Sequence, residues 1–362
     1  MKICFFADGE SIHTIRWCEY FYSLGYEVHL ITFSITAIPN IHIHVVDGGR
    51  IKVAGGNWHL ITRFWKVRKL LKKINPDIFH ALYATSYGVT GALAGHRNYV
   101  ISALGSDILI SSKSSSNIRK ALRFAFKRAK WIIVMSEQMK ESTREIGVDM
   151  SKVTILPFGV DPAIFNAKGK ELSKDKFVIT STRNFEEVYN IPHLLHAIKI
   201  LHEEIPNLHV NLFGSGSLKE KLEDLSADLG IENVVFFKGR MNQEDVAKVL
   251  KDSHLYVSVS LSDGSSNSLN EAIGCDVFCI VTNLPANLPW VKDGFNGFLV
   301  ETNDVENLAD KIRKVYLNHL ELQSKASPVN QQIFEEKGIW SNNMKVVEEK
   351  YAELLKKKGA FR

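Results

Sequence analysis

The chain has 362 residues, which is too long for one ordinary hydrophobic core and favours two domains. Hydrophobic residues make up 45% and charged residues 23%, which excludes a disordered chain and is typical of a soluble globular protein. No apolar run reaches the roughly 18 residues that a membrane span needs. Because the acidic Asp8 comes too early for a signal peptide, we expect a cytoplasmic protein.

The net charge of +5 is unevenly distributed along the sequence. Residues 1–165 contain 21 Lys and Arg against 12 Asp and Glu, whereas the rest contains 24 against 28. A basic first part indicates an anionic partner. The four cysteines form no Cys-x-x-Cys pair, so we expect buried, reduced thiols rather than metal ligands.

Strand and helix patterns alternate in the first half of the chain. The predicted strands are Lys2–Ala7, Glu27–Phe33, Ile41–Val46, Asp77–His80, Tyr99–Ala103 and Trp131–Met135. The predicted helices between them are Thr14–Leu24, Leu60–Ile74, Tyr87–Ala94 and Ile118–Arg128. This order and the apolar strands favour a parallel, doubly wound sheet that is covered on both faces.

A polar stretch at Asp161–Lys174 is typical of a linker, and the alternation resumes after it. The second set of predicted strands is Phe177–Thr182, His209–Phe213, Val234–Phe237, Leu255–Val259 and Val277–Val281. The predicted helices are Ile191–Glu203, Leu218–Leu229, Gln243–Lys251, Leu269–Gly274 and an amphipathic tail, Asn342–Lys358. We therefore predict an α/β protein with Rossmann-like domains at 1–165 and 172–341 that face a central cleft, where such sheets bind ligands.

Two of the predicted helices are strongly basic and carry aromatic residues. These stretches are Arg63–Lys73 and Ile118–Trp131. Either one alone is most simply a solvated helix face. The two together favour contact of the first domain with an anionic membrane surface. Nucleic acid is disfavoured as a partner because no recognition motif accompanies the charge.

The most informative stretch of the sequence is Ser260–Ile273, which follows a buried strand and enters a helix. Asp263 and Glu271 flank this turn, and between them lie Gly264, Ser265, Ser266, Asn267 and Ser268. Backbone amides at a helix start suit phosphate, and the carboxylates accept hydrogen bonds from hydroxyls, so the turn suits a nucleotide sugar. The alternatives are two solvated acids, or a Glu271 that stabilises the first turn of the helix.

Other candidate residues follow the remaining strands of the second domain. Arg183 follows the first strand and can bind a diphosphate bidentately, and the alternative is a surface ion pair. Gly214 and Gly216 form either a phosphate-binding turn or a tight turn between strand and helix. The third strand leads into Gly239, Arg240 and Met241, which either cover a nucleobase or form a simple loop.

In the first domain, a loop after the first strand opens a helix. Its candidate residues for phosphate or acceptor are Gly9, Glu10, Ser11 and His13, with capping and packing as the alternative. Asp107 follows a later strand and either faces an acceptor hydroxyl or caps a turn. We expect no metal site, because the acidic residues do not cluster as a Mg²⁺ chelate requires.

These motifs together resemble a family, the retaining glycosyltransferases of family 4, which have the GT-B fold. The resemblance covers nearly the whole chain and rests on Leu156–Asp161, Phe213–Leu222, Phe237–Met241, Asn270–Cys275 and Asp293–Val300. It implies that the final helix, Asn342–Lys358, crosses back onto the first domain. The first domain would then lie on the acceptor side, and the second would bind the donor.

The resemblance also assigns roles to single residues. It implies that Glu271 holds the ribose hydroxyls of the donor, that Asp263 lies near the donor sugar, and that Arg183 binds the diphosphate. It places Gly9 in a loop near the phosphate and the acceptor. Asp107 counts with Arg183 and Asp263 among the catalytic candidates.

The sequence shows three departures from the family pattern. Asp263 stands where the family's Glu-x7-Glu motif has its first glutamate, so its reach is shorter by one methylene. Asn190 and Ile191 replace a lysine and a glycine. Asn190 is therefore counted among the donor-binding candidates, but the diphosphate site lacks one positive charge. Leu104 replaces a histidine of the first domain.

The implied activity is transfer of a sugar from a nucleotide sugar, without a further cofactor, to a glycan or lipid-linked acceptor. The implied setting is the synthesis of cell-surface polysaccharide or lipopolysaccharide, in the cytoplasm or at the inner face of the membrane. No carboxylate is placed as a nucleophile, so the departing diphosphate would accept the acceptor's proton. The alternatives are a nucleotide-sugar epimerase on the same fold and a nucleotide-sugar-binding protein without turnover.

Overall fold

The protein was analysed as a computed structural model, which describes residues 1–47 and 58–356. The predicted last helix therefore ends with two residues, 357 and 358, that lie outside the described part. The chain divides into two compact units, Met1–Leu156 with the chain from Lys345, and Pro157–Met344. No helix among the described residues combines the length and apolar character that a membrane span requires.

The first unit contains a seven-stranded parallel sheet in the order β3-β2-β1-β4-β5-β6-β7. Its strands are β1 (Lys2–Phe6), β2 (Glu27–Thr32), β3 (His42–Val45), β4 (Ile78–Leu82), β5 (Tyr99–Ser102), β6 (Trp131–Val134) and β7 (Val153–Ile155). The first six match predicted strands. Five of them are largely apolar, whereas β3 alternates histidine with apolar residues. The seventh was not predicted, since its three residues are all half-buried and leave no clear pattern.

The α-helices of this part are α1 (Ile12–Ser23), α2 (Phe64–Ile74), α3 (Ser86–Ala94), α4 (Ser106–Leu109), α5 (Ser111–Ser114), α6 (Ser116–Arg128) and α7 (Glu137–Glu145). Short 3₁₀ turns occupy Trp58–Arg63 and Met150–Lys152. Helices α1, α2, α3 and α6 were predicted, and α4, α5 and α7 were not. The reason is plain in α7, which buries only Met139, Ser142 and Thr143 and so has no apolar stripe.

The second unit contains a six-stranded parallel sheet in the order β10-β9-β8-β11-β12-β13. Its strands are β8 (Phe177–Ser181), β9 (Leu208–Phe213), β10 (Val235–Gly239), β11 (Leu255–Ser258), β12 (Phe278–Thr282) and β13 (Gly297–Val300). Only β13 was not predicted. Because all strands are parallel, the segments that follow β8, β9, β10 and β11 leave the sheet at the same edge.

The remaining helices are α8 (Ile191–Leu201), α9 (Lys219–Asp228), α10 (Gln243–Lys251), α11 (Asn267–Gly274), α12 (Val305–Ile333) and α13 (Trp340–Lys356). A 3₁₀ turn at Glu187–Tyr189 precedes α8, and a π-helical turn at Phe334–Gly338 follows α12. The 29-residue α12 was not predicted. Its pattern is interrupted by a non-helical backbone at Asn318 and by Pro328 in the interior, so it has no single apolar stripe.

The second part of α13 belongs to the first unit, where Tyr351 is fully buried. Its ring stacks on Phe21 with 5.3 Å between the ring centroids, and its hydroxyl bonds to Nδ1 of His80. The other ring nitrogen of His80 lies 2.8 Å from the hydroxyl of Ser102. Burial lowers the pKa of His80 to about 3, so the imidazole is neutral at pH 7.

Candidate active site

A pocket of about 240 Å³ lies at the carboxyl edge of the second sheet. Five of its lining residues were predicted as donor-binding residues, namely Gly214, Gly239, Arg240, Met241 and Glu271. Pockets for drug-sized ligands measure roughly 300–1,000 Å³, so this pocket is smaller than a ligand of that size requires.

The other residues of this pocket were not among the predicted site residues. They are Phe165, Thr182, Asn184, Phe213, Gln243 and Val246. Thr182 and Asn184 flank Arg183 at the end of a strand, which is a signal that the sequence does contain. Phe165 gave no such signal, because it lies in the polar stretch that was read as a linker, yet it is fully buried in the second unit.

Close packing of the backbone requires the two glycines that follow β9. A Cβ atom on Gly214 would lie 2.5 Å from the carbonyl oxygen of Arg183, and one on Gly216 would lie 2.2 Å from that of Phe185. The amide of Gly214 donates to the carbonyl oxygen of Gly239 at 3.0 Å. These contacts are those of a tight turn, which was one of the two interpretations of the sequence.

The guanidinium of Arg183 is held by three side chains of the turn between β11 and α11. Its Nη2 donates to Oδ2 of Asp263 at 2.7 Å. Its Nη1 donates to the hydroxyl oxygens of Ser266 at 2.7 Å and Ser268 at 2.8 Å. The side chains of Arg183 and Asp263 are only 8% and 13% exposed, so this is a nearly buried ion pair and not a surface one.

The same guanidinium lies over the ring of Tyr189, with 4.2 Å between its central carbon and the ring centroid. Tyr189 was not predicted as a site residue. The Nε of Arg183 is buried and has no hydrogen-bond partner among the described residues. The ring of Tyr189 therefore holds one face of the Arg183 guanidinium, and oxygen acceptors hold the edge formed by its two Nη atoms.

Helix α11 begins two residues earlier than the sequence predicted. Ser266 is its N-cap, and its hydroxyl accepts a hydrogen bond from the amide of Leu269 at 3.2 Å. Asn267 and Ser268 are therefore in the first turn, Gly264 and Ser265 are in the preceding loop, and the first turn contains no acid. The placement of Glu271 in the first turn was wrong, and with it the helix-dipole role for this carboxylate loses its basis.

Asn190 adopts a left-handed backbone conformation, with φ of 51°, between the 3₁₀ turn and α8. Its side-chain amide donates to Oδ1 of Asn303 at 3.1 Å. In the described structure this residue joins two loops of the second unit. A role for Asn190 in donor binding stays a prediction.

The backbone amides of the loop after β1 bond within the first unit. The amide of Gly9 donates to the hydroxyl oxygens of Thr32 and Ser34, both at 3.1 Å, and the amide of Glu10 donates to Oδ1 of Asp8 at 3.2 Å. These are packing contacts, which were one of the two interpretations of the sequence, and a role for Gly9 and Glu10 at a phosphate or an acceptor stays a prediction.

The other two candidate residues of this loop, Ser11 and His13, lie at the start of α1. Ser11 is the N-cap of α1, but its side chain makes no capping hydrogen bond. Burial, with a smaller effect of the positive charge on Arg16, lowers the pKa of His13 to about 4. The imidazole of His13 is therefore neutral at pH 7 and offers no positive charge to a phosphate.

Asp107 is fully buried in the loop after β5. Its carboxylate accepts hydrogen bonds from the amides of Ala84 at 2.6 Å, Leu104 at 3.1 Å and Gly105 at 2.9 Å. Burial raises the pKa of Asp107, and the backbone amides act in the opposite direction. These are the contacts of a turn cap, which was the second role that the sequence allowed.

Two doubly wound parallel sheets, with a nearly buried guanidinium at the carboxyl edge of the second, fit the predicted GT-B class of sugar-transferring enzymes. Comparison with known families agrees with this class. Residues 164–332 match the family described as glycosyl transferases group 1, and residues 2–136 match the one described as glycosyl transferase 4-like. The chain belongs to the family-4-like glycosyltransferases, and the predicted family and fold class are confirmed.

Among characterised proteins, the chain is similar to an Escherichia coli enzyme named UDP-Gal:alpha-D-GlcNAc-diphosphoundecaprenol alpha-1,3-galactosyltransferase. The two are 27% identical over 268 residues, which is 68% of each chain. It is also similar to N-acetyl-alpha-D-glucosaminyl L-malate synthase of Bacillus anthracis, at 25% identity over 79% of each chain.

Solved structures share the fold at lower sequence identity. A glycosyltransferase from Rickettsia africae superposes with a TM-score of 0.82 at 17% identity, and covers 98% of this chain and 99% of its own. Anabaena HepE, crystallised with UDP, has a TM-score of 0.81 at 17% identity, and covers 98% of this chain and all of its own.

Proposed function

We propose that this glycosyltransferase moves a sugar from a nucleotide-sugar donor to a glycan or glycolipid acceptor, with retention of the anomeric configuration and without a metal ion. The observation that carries the proposal is the fixed guanidinium of Arg183, whose chain neighbours Thr182 and Asn184 line the same pocket as Glu271. The names of the relatives support the donor class, because one specifies UDP-Gal and HepE binds UDP.

In this proposal the nucleoside occupies the pocket. The carboxylate of Glu271 accepts hydrogen bonds from the ribose hydroxyls, and the segment Gly239–Met241 covers the base. The diphosphate then lies beside Arg183, and the sugar lies near Asp263. The pocket volume of about 240 Å³ supports this division, because it leaves the diphosphate and the sugar outside the pocket.

The diphosphate competes with Asp263 for the guanidinium. Without the donor, Asp263 accepts from Nη2, and the hydroxyls of Ser266 and Ser268 accept from Nη1. These contacts keep the guanidinium in place, so little reorganisation is needed when the phosphates arrive. A positive charge in a nearly buried site stabilises a departing diphosphate more strongly than it would in water. This charge supports the proposal that no metal ion is required.

The transfer step is proposed to proceed on one face of the sugar. The bond from the anomeric carbon to the diphosphate oxygen breaks, and a bond to the acceptor oxygen forms on the same face. The proton of the acceptor hydroxyl passes to the departing phosphate oxygen. Arg183 stabilises the charge on this oxygen, and Asp107 acts as a positioning residue that orders the loop after β5.

We further propose that the acceptor is lipid-linked or part of a cell-surface polysaccharide, and that the enzyme acts at the inner face of the membrane. The basic helices α2 and α6 support this, because each also exposes an aromatic side chain, Trp65 at 55% and Phe124 at 39%. Sedimentation with vesicles tests it. Binding to vesicles that contain phosphatidylglycerol but not to pure phosphatidylcholine is expected, and equal binding to both would contradict it.

The activity test combines a donor screen with a variant of Arg183. UDP, GDP, ADP and CMP sugars are screened by thermal shift, and the stabilising donor is then incubated with acceptors, with the product anomer read by NMR. Arg183→Ala is expected to lower kcat by a factor on the order of 10²–10³. The matched control is Arg313→Ala, which removes an arginine of the same unit from an exposed ion pair with Glu204.

Three outcomes would contradict the proposal. Full transfer activity in Arg183→Ala would remove the proposed stabilisation of the leaving group. An altered nucleotide sugar formed without any acceptor would indicate an epimerase. Stabilisation by a donor without any product, across the acceptors tested, would indicate a binding protein.

A further inference from the structure

A cluster of histidines lies at the edge of the first sheet, among residues to which the proposed function gives no role. We name it the sheet-edge histidine cluster, and it consists of Glu27, His29, His42 and His44. Among residues 1–47 and 58–356, strand β3 is at one edge of the sheet and pairs with β2 alone. In this pairing His29 lies opposite His42, and Ile31 lies opposite His44. Because side chains two apart in a strand share a face, all four members lie on one face of the sheet.

The members of the cluster are in contact. Nε2 of His29 lies 3.0 Å from Oε1 of Glu27, and Nδ1 of the same ring lies 3.0 Å from Nε2 of His44. The rings of His29 and His42 are stacked, with 4.7 Å between their centroids. One ligand atom from each of Glu27, His29 and His42 lies within 4.8 Å of the other two. His29 is buried, whereas Glu27 and His42 are exposed, so solvent reaches the group from one side.

The three ligand atoms of Glu27, His29 and His42 favour one class of metal ion. Two imidazole nitrogens and one carboxylate oxygen suit Zn²⁺ and related divalent transition metals, whereas Mg²⁺ and Ca²⁺ prefer oxygen ligands alone. Three protein ligands with access to solvent leave room for water as the fourth ligand of a tetrahedral ion. A metal-bound histidine usually donates its other ring N–H to an acceptor, and His44 is in place to accept from His29.

We propose that Glu27, His29 and His42 bind one divalent transition-metal ion of the Zn²⁺ class, with His44 as the outer partner of His29. The ion replaces the hydrogen bond between His29 and Glu27. The remaining ring proton of His29 then resides on Nδ1 and is donated to Nε2 of His44. Lys2, whose Nζ lies 3.0 Å from Oε1 of Glu27, gives up this ion pair or keeps it on the other carboxylate oxygen.

The consequence of binding is a cross-link between β2 and the edge strand β3. Edge strands are held to a sheet on one side only, so a metal bridge there stabilises a strand that has backbone partners on a single side. The proposed metal ligands belong to the first unit, whereas Arg183, Asp263 and the pocket that Glu271 lines belong to the second. The test therefore measures metal binding and stability, and it does not depend on transfer activity.

The experiment uses the untagged full chain after treatment with a chelator, titrated with ZnCl₂ by calorimetry and with Co²⁺ by visible absorption. His42→Ala and Glu27→Gln change exposed ligands and leave the buried His29 in place. His196→Ala, an exposed histidine of the second unit, is the matched control. Circular dichroism of each variant without metal checks that the fold is retained.

One Zn²⁺ per chain is expected for the wild type and for His196→Ala, with a rise in melting temperature at saturating Zn²⁺. Loss of affinity by at least tenfold is expected in His42→Ala and in Glu27→Gln, with a smaller thermal shift than in the wild type at the same Zn²⁺ concentration. His44→Ala is expected to weaken binding by roughly 10–100-fold. Absence of saturable binding in the wild type, or unchanged affinity in His42→Ala, would overturn the proposal.

Discussion

Replacement of Asp263 by Asn tests whether this carboxylate holds Arg183 in the absence of the donor. The substitution keeps the size of the side chain and an oxygen that accepts from Nη2, but it removes the negative charge. Arg183 also keeps its contacts with Ser266 and Ser268. The perturbation therefore isolates the charge of one partner in a pair whose side chains are 8% and 13% exposed.

The expected effects on stability and on ligand affinity have opposite signs. Loss of one partner of a buried pair costs about 3–5 kcal/mol. The amide still accepts one hydrogen bond, and the pair retains some exposure, so we expect a loss of about 2–3 kcal/mol in the free energy of unfolding. The affinity for UDP is expected to rise by about tenfold, which corresponds to roughly 1.4 kcal/mol, because the diphosphate no longer competes with a carboxylate.

Urea unfolding followed by circular dichroism measures the first effect, and calorimetric titration with UDP measures the second. Glu204→Gln is the control, because it removes the carboxylate of an exposed ion pair with Arg313, and little change is expected. The double variant Arg183→Gln with Asp263→Asn is expected to be less destabilised than the sum of the single variants. Unchanged stability together with weaker UDP binding in Asp263→Asn would refute the reasoning.

Three further predictions concern single residues. Gly216→Ala is expected to lower the melting temperature of the protein by several degrees, because its Cβ would lie 2.2 Å from the carbonyl oxygen of Phe185; an unchanged temperature in differential scanning calorimetry would contradict this. Glu271→Gln is expected to weaken UDP binding by roughly tenfold or more in calorimetry, and wild-type affinity would exclude its role at the ribose. The folded-state pKa of His80 is about 3, below the ordinary 6.5. As the pH falls, this side chain is therefore protonated in the unfolded chain at a higher pH than in the folded chain. The free energy of unfolding should then fall as pH decreases from about 6.5 towards 3, by up to about 1.4 kcal/mol per pH unit, and less steeply in His80→Gln.

Burial explains which parts of the fold the sequence predicts. The inner strands of both sheets are buried on both faces, so they appear as apolar runs that end near their true boundaries, and α10 matches its predicted bounds, Gln243–Lys251. Elements without such a pattern were not predicted. The clearest case is α12, where Asn318 and Pro328 interrupt the helical periodicity and tertiary packing keeps the helix continuous.

The candidate site was predictable residue by residue but not in its contacts. Arg183 and Asp263 were each found from their positions after strands. Their ion pair joins residues 80 apart in the sequence, so no local pattern reveals it. The contacts of the Gly9 amide were hidden for the same reason, because its acceptors lie on the segment around β2. The sheet-edge histidine cluster was overlooked because it depends on the register of β2 and β3.

The position of Tyr351 has a consequence for biosynthesis. This ring packs in the interior of the first unit, between Phe21 and His80, although the whole second unit separates it from them in the sequence. During translation, the strands of the first unit are therefore made before the residue that fills their interior. A ribosome-bound chain that lacks α13 would expose that unfilled space, so truncation before residue 351 would harm the strands that are made before the second unit.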